Sequence, residues 1–184
     1  MGANIVLPLD ELELKLAALD DRRGRQKVDD TLELCIRENL FPELLKMLDH
    51  ESGRRRGSIS WILARAAQQK KWCPMDEEAE GLINLLAEES NVMTKRCVID
   101  VFQYCPIPEH CESQMLDQCI GFIRDPKETI AVRAFSITVL FKLVERYPEL
   151  FNEVKDIMTE LSEHESGAIR VRVRKALEMM EGLT

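Results

Sequence analysis

Apolar residues recur at helical spacing along almost the whole chain, and polar, glycine- or proline-containing breaks divide them into ten segments. Leu12, Leu16 and Leu19 predict a first helix over 10–19, with Leu9 at its entrance. The second, 21–39, opens on Arg22, Arg23, Arg25 and Lys27 and carries Val28, Leu32, Cys35 and Ile36 as its buried stripe. Leu40-Phe41-Pro42 turns the chain into a third helix ending at His50, which packs through Leu44, Leu45 and Leu48. After Glu51-Ser52-Gly53 a fourth, 54–69, presents Ile59, Ile62, Leu63 and Ala66, flanked by Trp61. The fifth, 75–89, starts on Asp76, Glu77 and Glu78, which suit the positive end of a helix, and buries Ala79, Leu82, Ile83 and Leu86. Val98, Val101 and Phe102 mark a sixth helix over 91–104, stopped by Pro106 and Pro108. Met115, Leu116, Cys119, Ile120 and Ile123 mark a seventh over 108–124.

The eighth segment differs from the others. Ala131, Val132, Ala134, Phe135, Ile137, Val139, Leu140, Phe141, Leu143 and Val144 point around most of a helix circumference, so this element must be covered on nearly all sides. Asp125 as cap, Pro126 at the first position and Glu128 as the reciprocal carboxylate place its start at 126, and Pro148 stops it after Tyr147. A helix of that span is roughly 30 Å long at about 1.5 Å per residue. The ninth, 148–163, contributes Leu150, Phe151, Val154, Ile157, Met158 and Leu161. The tenth, 168–181, follows Glu165-Ser166-Gly167 with Ile169, Val173, Ala176, Leu177 and Met180. No run of alternating β-branched residues competes, and the fold class read from periodicity is all-α.

Composition narrows the function classes. A length of 184 residues is expected to form a single domain, 1–184, compact or in two small lobes, with a substantial core. Its net charge of −8 disfavours general affinity for nucleic acid or an anionic membrane. No apolar run approaches a bilayer span, no export signal opens the sequence, and Val6 stands where a myristoylation signal needs Ser or Thr, so the expected location is the cytoplasm, without membrane contact. The six cysteines, Cys35, Cys73, Cys97, Cys105, Cys111 and Cys119, show no paired spacing and are expected to be reduced thiols.

Compared as pairs, the helices repeat. First-helix anchors recur at Leu45, Ile83, Ile120 and Met158, in steps of 38, 37 and 38 residues, which marks a repeat array. An acidic or small-residue turn followed by Val-Arg and small residues stands in Asp125-Pro126 with Val132-Arg133-Ala134, and again in Glu165-Ser166-Gly167 with Val171-Arg172. On these motifs the chain resembles short HEAT-repeat proteins of the armadillo-type α-solenoid class. Two inner units depart from the pattern, with Arg54-Arg55-Arg56 and Lys95-Arg96 in place of Val-Arg. The resemblance implies a right-handed α-α superhelix of about ten helices in about five antiparallel pairs. Its units are 40–72, 75–105, 108–147 and 148–182, with 10–39 as a degenerate first unit. One helix pair cannot bury both its apolar faces, so each covers its neighbour and the last must present a polar outer side.

Chemistry is sparse. Arg54, Arg55, Arg56, Lys95, Arg96, Arg133, Arg170, Arg172 and Arg174 cluster near the starts of second helices, which line the concave surface in the family the chain resembles. They form either a basic ladder for an acidic or phosphate-bearing partner or internal ion pairs with carboxylates such as Asp100 and Asp125. The acidic total favours the pairs. With Trp61 they give the candidate partner-binding set Arg54, Arg55, Arg56, Trp61, Arg96, Arg133, Arg170 and Arg174. Trp61, Trp72, Asp100 and Tyr104 also suggest the cleft of HEAT-like glycosylases for alkylated DNA bases, without a residue-by-residue match. Cys105, His110, Cys111 and Cys119 fall close in sequence, but their spacing is no recognised zinc pattern. His50, His110 and His164 sit at helix ends. No Ser/His/Asp set, glycine-rich phosphate loop or HExxH motif is visible, so no catalytic, cofactor-binding or metal-binding residues and no cofactor are expected. The expected function is a non-catalytic scaffold binding a protein or peptide on the concave face. The alternative is nucleic-acid binding or base excision, and a weaker third is a chromophore-attaching lyase.

Overall fold

The structure is a computed structural model and describes residues 7–22, 24–164 and 167–181. Arg23, Val6 and the Met1-Gly2 start, the Glu165-Ser166 turn and the side chains of His164 and Met180 lie outside the described residues. Within them every regular element is helical. In chain order these are α1 (Pro8–Asp21), α2 (Arg25–Glu38), α3 (Phe41–His50), α4 (Gly53–Gln68), α5 (Asp76–Glu88), α6 (Val92–Tyr104), α7 (Glu112–Arg124), α8 (Ile130–Arg146), α9 (Phe151–His164) and α10 (Gly167–Glu181). Single 3-10 turns, Glu109–Cys111 and Pro148–Leu150, lead into α7 and α9. The repeat anchors Leu45, Ile83, Ile120 and Met158 fall in α3, α5, α7 and α9, of which α3, α7 and α9 each contact the helix that follows.

The chain groups into two compact units. The first runs to Glu78 and takes in Glu89–Pro106; the second is Ala79–Glu88 together with the chain from Ile107 onward. The expected pair 75–105 is thereby divided, with most of α5 in the second unit and α6 in the first.

In the first unit α4 is the hub, contacting α1, α2, α3 and α6. Leu12, Leu16 and Leu19 are fully buried, as are Ile59, Ile62 and Ala66, because each set lies on one face at helical spacing. The stripe of α2 needs a correction: Ile36 is 41% exposed and Leu34 is buried instead. Because α2 packs on both α1 and α4, its apolar face is wider than one stripe and reaches Thr31 and Leu34. Asn39 ends α2 in the left-handed conformation (φ 52°), a geometry asparagine tolerates better than most residues.

In the second unit α8 is the hub, contacting α7, α9 and α10. Ile137, Leu140 and Val144 pack with Val154, Ile157, Met158, Ile169 and Val173 in one cluster. The enclosed helix expected here is present, but it starts later than 126. Asp125 accepts a bond from the Lys127 amide and its carbonyl takes the Glu128 amide, closing a separate turn. Thr129 then caps α8 through the Val132 amide. Two cap-competent residues stand four apart, and the second begins the helix.

Candidate functional site

Most of the basic residues singled out from sequence are bound to the protein itself. Arg54 donates to the carbonyls of Asp20 and Asp21 at the end of α1, the shorter bond being 2.7 Å. Arg56, the fourth residue of α4, donates to the Leu48 carbonyl near the end of α3 at 3.1 Å. Arg133, the fourth residue of α8, repeats this with two bonds to the Ile123 carbonyl near the end of α7, at 3.0 and 2.8 Å. In each case a guanidinium meets the negative end of an earlier helix, where the last carbonyls lack intrahelical partners. Arg133 is only 5% exposed, so its expected role as a surface contact is corrected to an internal cap.

The remaining members divide. Arg55 pairs with Asp20 and with Glu13, and Arg56 also pairs with the nearly buried Glu89. Arg96 is half-buried and donates to the Met93 sulfur, with Asp100 also within its field. Lys95 and Trp61 are half-buried. By contrast Arg170 and Arg174 are exposed on α10, where Val171 and Leu177 join them along a shallow groove of about 550 Å³. Arg174 lies 3.8 Å from Glu178 in a surface pair of the kind that contributes little.

A polar row crosses α2, α4 and α6 in the first unit. Asp29 of α2 accepts from Arg65 of α4, and Gln68 of α4 donates to Asp100 of α6 at 2.7 Å. Gln103 donates to the other Asp100 oxygen at 2.6 Å. Burial pushes the Asp100 carboxyl above its ordinary range, and the amides of Gln68 and Gln103 oppose the shift. Trp61 shares a face of α4 with Arg65 and Gln68. Of the other aromatics considered with it, Trp72 stacks on Phe41 with ring centres 5.4 Å apart, and Tyr104 is exposed at the end of α6. Asp100 is thus buried and held by one amide on each carboxyl oxygen.

The cysteines require a correction. Cys73, after α4, and Cys105, after α6, form a disulfide; the turn and the helix end bring their Cα atoms to 5.5 Å, inside the usual range. Cys35, Cys97, Cys111 and Cys119 are free and buried. Burial pushes the Cys35 and Cys119 thiols up to about 12, so both are inert at neutral pH. The four residues close in sequence have separate roles: Cys105 is bridged, Cys111 is a buried thiol, Cys119 bonds Ser136 and His110 faces Glu80 at 3.3 Å.

Open grooves arise elsewhere. In the first unit Leu9, Leu12 and Met47 line one of about 350 Å³ between α1 and α3, with Glu13, Glu43 and Glu51 beside Lys46 and His50. In the second unit a cleft of about 380 Å³ lies between α7, the end of α8 and the two 3-10 turns. Leu116, Leu143 and Leu150 form its apolar lining, and Glu109, Glu112 and Glu149 supply carboxylates. Arg146 donates to Glu112 at 2.7 Å, and the Tyr147 hydroxyl donates to the same carboxylate. That bond holds the phenol protonated above its ordinary range.

Sequence reasoning attended to the cations and missed these acids. The available signal was the spacing of Glu109 and Glu112 over one turn, with Tyr147 and Glu149 flanking Pro148.

Among the described residues no helix is long and apolar enough to cross a membrane. Comparison with family models matches residues 16–180 to the HEAT repeat domain. No curated protein and no solved structure matches the chain.

Proposed function

Since this chain belongs to the HEAT repeat family, whose members commonly act as protein-interaction scaffolds, we propose that it is a non-catalytic protein that binds a protein or peptide segment. The observation that carries this reading is the distribution of charge: Arg54, Arg55, Arg56, Arg65 and Arg133 hold the protein's own carbonyls and carboxylates. Two open grooves, in contrast, have apolar linings and rims with more acids than bases, and the exposed Arg170 and Arg174 are confined to a third, on α10. A phosphate backbone needs cations free to replace its counterions. An apolar groove edged with acids suits a peptide.

A random-peptide display selection on the immobilised full chain tests the proposal beside titrations with labelled single-stranded and duplex DNA at about 50 and 200 mM salt. Enriched peptide sequences, with DNA binding absent at the higher salt, are the expected result. Micromolar DNA binding that falls steeply with salt, with no peptide enriched, would overturn it. The compartment follows the thiols: a closed Cys73–Cys105 bridge belongs to an oxidising environment and an open one to the reducing cytoplasm.

A further inference from the structure

We propose that the acid-rimmed cleft of the second unit is the docking site for a basic, apolar peptide segment; this rests on the peptide-binding reading and names the site and its preference. A cleft of about 380 Å³ lies within the size range of ligand pockets and has room for one aliphatic side chain and part of its neighbour. Leu116, Leu143 and Leu150 form a floor for the aliphatic group, with the Tyr147 ring beside them.

Charge then decides what accompanies it. Glu112 is 7% exposed and already held by Arg146 and Tyr147, so it forms the fixed inner wall. Glu109 is 83% exposed and stands at the outer rim, 3.8 Å from Arg146. Glu149 is also exposed on the rim. One cation therefore faces three carboxylates, and the surplus is negative. An arginine or lysine next to the seated aliphatic residue reaches Glu109 and Glu149 without displacing Arg146 from Glu112. An acidic peptide meets repulsion at the same rim.

The test is a titration of the ¹⁵N-labelled full chain with a capped Gly-Ser-Leu-Arg-Leu-Gly hexapeptide, followed by amide shifts. Shifts confined to the neighbourhood of Ser113, Leu116, Leu143, Tyr147 and Leu150 are expected. The combined Glu109→Lys and Glu149→Lys variant should bind at least tenfold more weakly, Glu109→Gln with Glu149→Gln should fall between, and a Leu-Glu-Leu peptide should not bind. Both altered residues are exposed, so unchanged circular dichroism is expected. Equal binding of the Arg and Glu peptides, or indifference to charge reversal, would overturn the charge preference. Shifts elsewhere would remove this site and leave the peptide-binding reading standing. That reading itself fails only if the random-peptide selection enriches nothing.

Discussion

The two compact units use their polar side chains differently. In the first, polar groups tie helix to helix: Arg55 to α1, Arg65 to Asp29 of α2, Gln68 to Asp100 of α6, and a disulfide from Cys73 to Cys105. In the second, an apolar cluster around α8 joins the helices, and Arg133 and Glu112 are its buried charges. Three of its carboxylates, Glu109, Glu112 and Glu149, line a cleft instead, and Arg170 and Arg174 are exposed on α10. A charged residue near a helix start therefore has no fixed meaning in this fold. At α4 and α8 it caps an earlier helix; at α10 it faces solvent.

The largest effect that would sharpen this contrast is a cavity in the apolar hub. Leu140 is fully buried, and Leu140→Ala should cost about 2–5 kcal/mol in urea denaturation followed by circular dichroism. A cost below about 1 kcal/mol would mean that the second unit does not depend on this cluster.

Next is the staple of the first unit. Cys73 and Cys105 are 32 residues apart, and closing a loop of that length is worth roughly 3–4 kcal/mol by chain entropy. Both tryptophans, Trp61 and Trp72, belong to this unit, so fluorescence reports on it selectively. Cys73→Ser should move the fluorescence transition to lower urea, and added reductant should move the wild type likewise. An unmoved transition would show that the bridge contributes nothing.

The Asp100 row gives a smaller, pH-dependent effect. Its folded carboxyl is raised above the unfolded value by burial, so the folded state holds its proton to higher pH. Stability is then lost as pH rises from the unfolded toward the folded value. Asp100→Asn removes that loss, although one of Gln68 and Gln103 must turn its amide to suit the new side chain. The stability difference, variant minus wild type, should therefore shift in the variant's favour between pH 3 and pH 7. A difference that moves the other way would contradict the role of burial.

Smallest is the cleft rim. Glu109→Lys with Glu149→Lys should alter stability by no more than about 0.5 kcal/mol, since surface pairs contribute little. A larger loss in the same urea experiment would make the rim structural.

Much of this architecture was legible in the sequence because it depends on period. Ala79, Leu82, Ile83 and Leu86 form one stripe and are buried, and the repeat anchors fall in alternate helices, α3, α5, α7 and α9. The start of α8 was less legible because Asp125 and Thr129 are both competent caps, and only the folded chain shows Asp125 closing a turn of its own. Ile36 and Leu34 exchanged places because a helix touching two neighbours has a face wider than one stripe. The disulfide was illegible because a spacing of 32 carries no motif. The cleft was illegible for a related reason: Glu112, Leu143 and Tyr147 come from separate elements.

The most direct test of the central claim, that the arginines near the starts of α4 and α8 serve the fold while those of α10 do not, is urea denaturation of Arg133→Ala beside Arg174→Ala. Arg133 donates two bonds from a buried position, so its loss should cost about 2–3 kcal/mol, against no more than about 0.5 kcal/mol for the exposed Arg174. Equal small losses in both variants would contradict the claim.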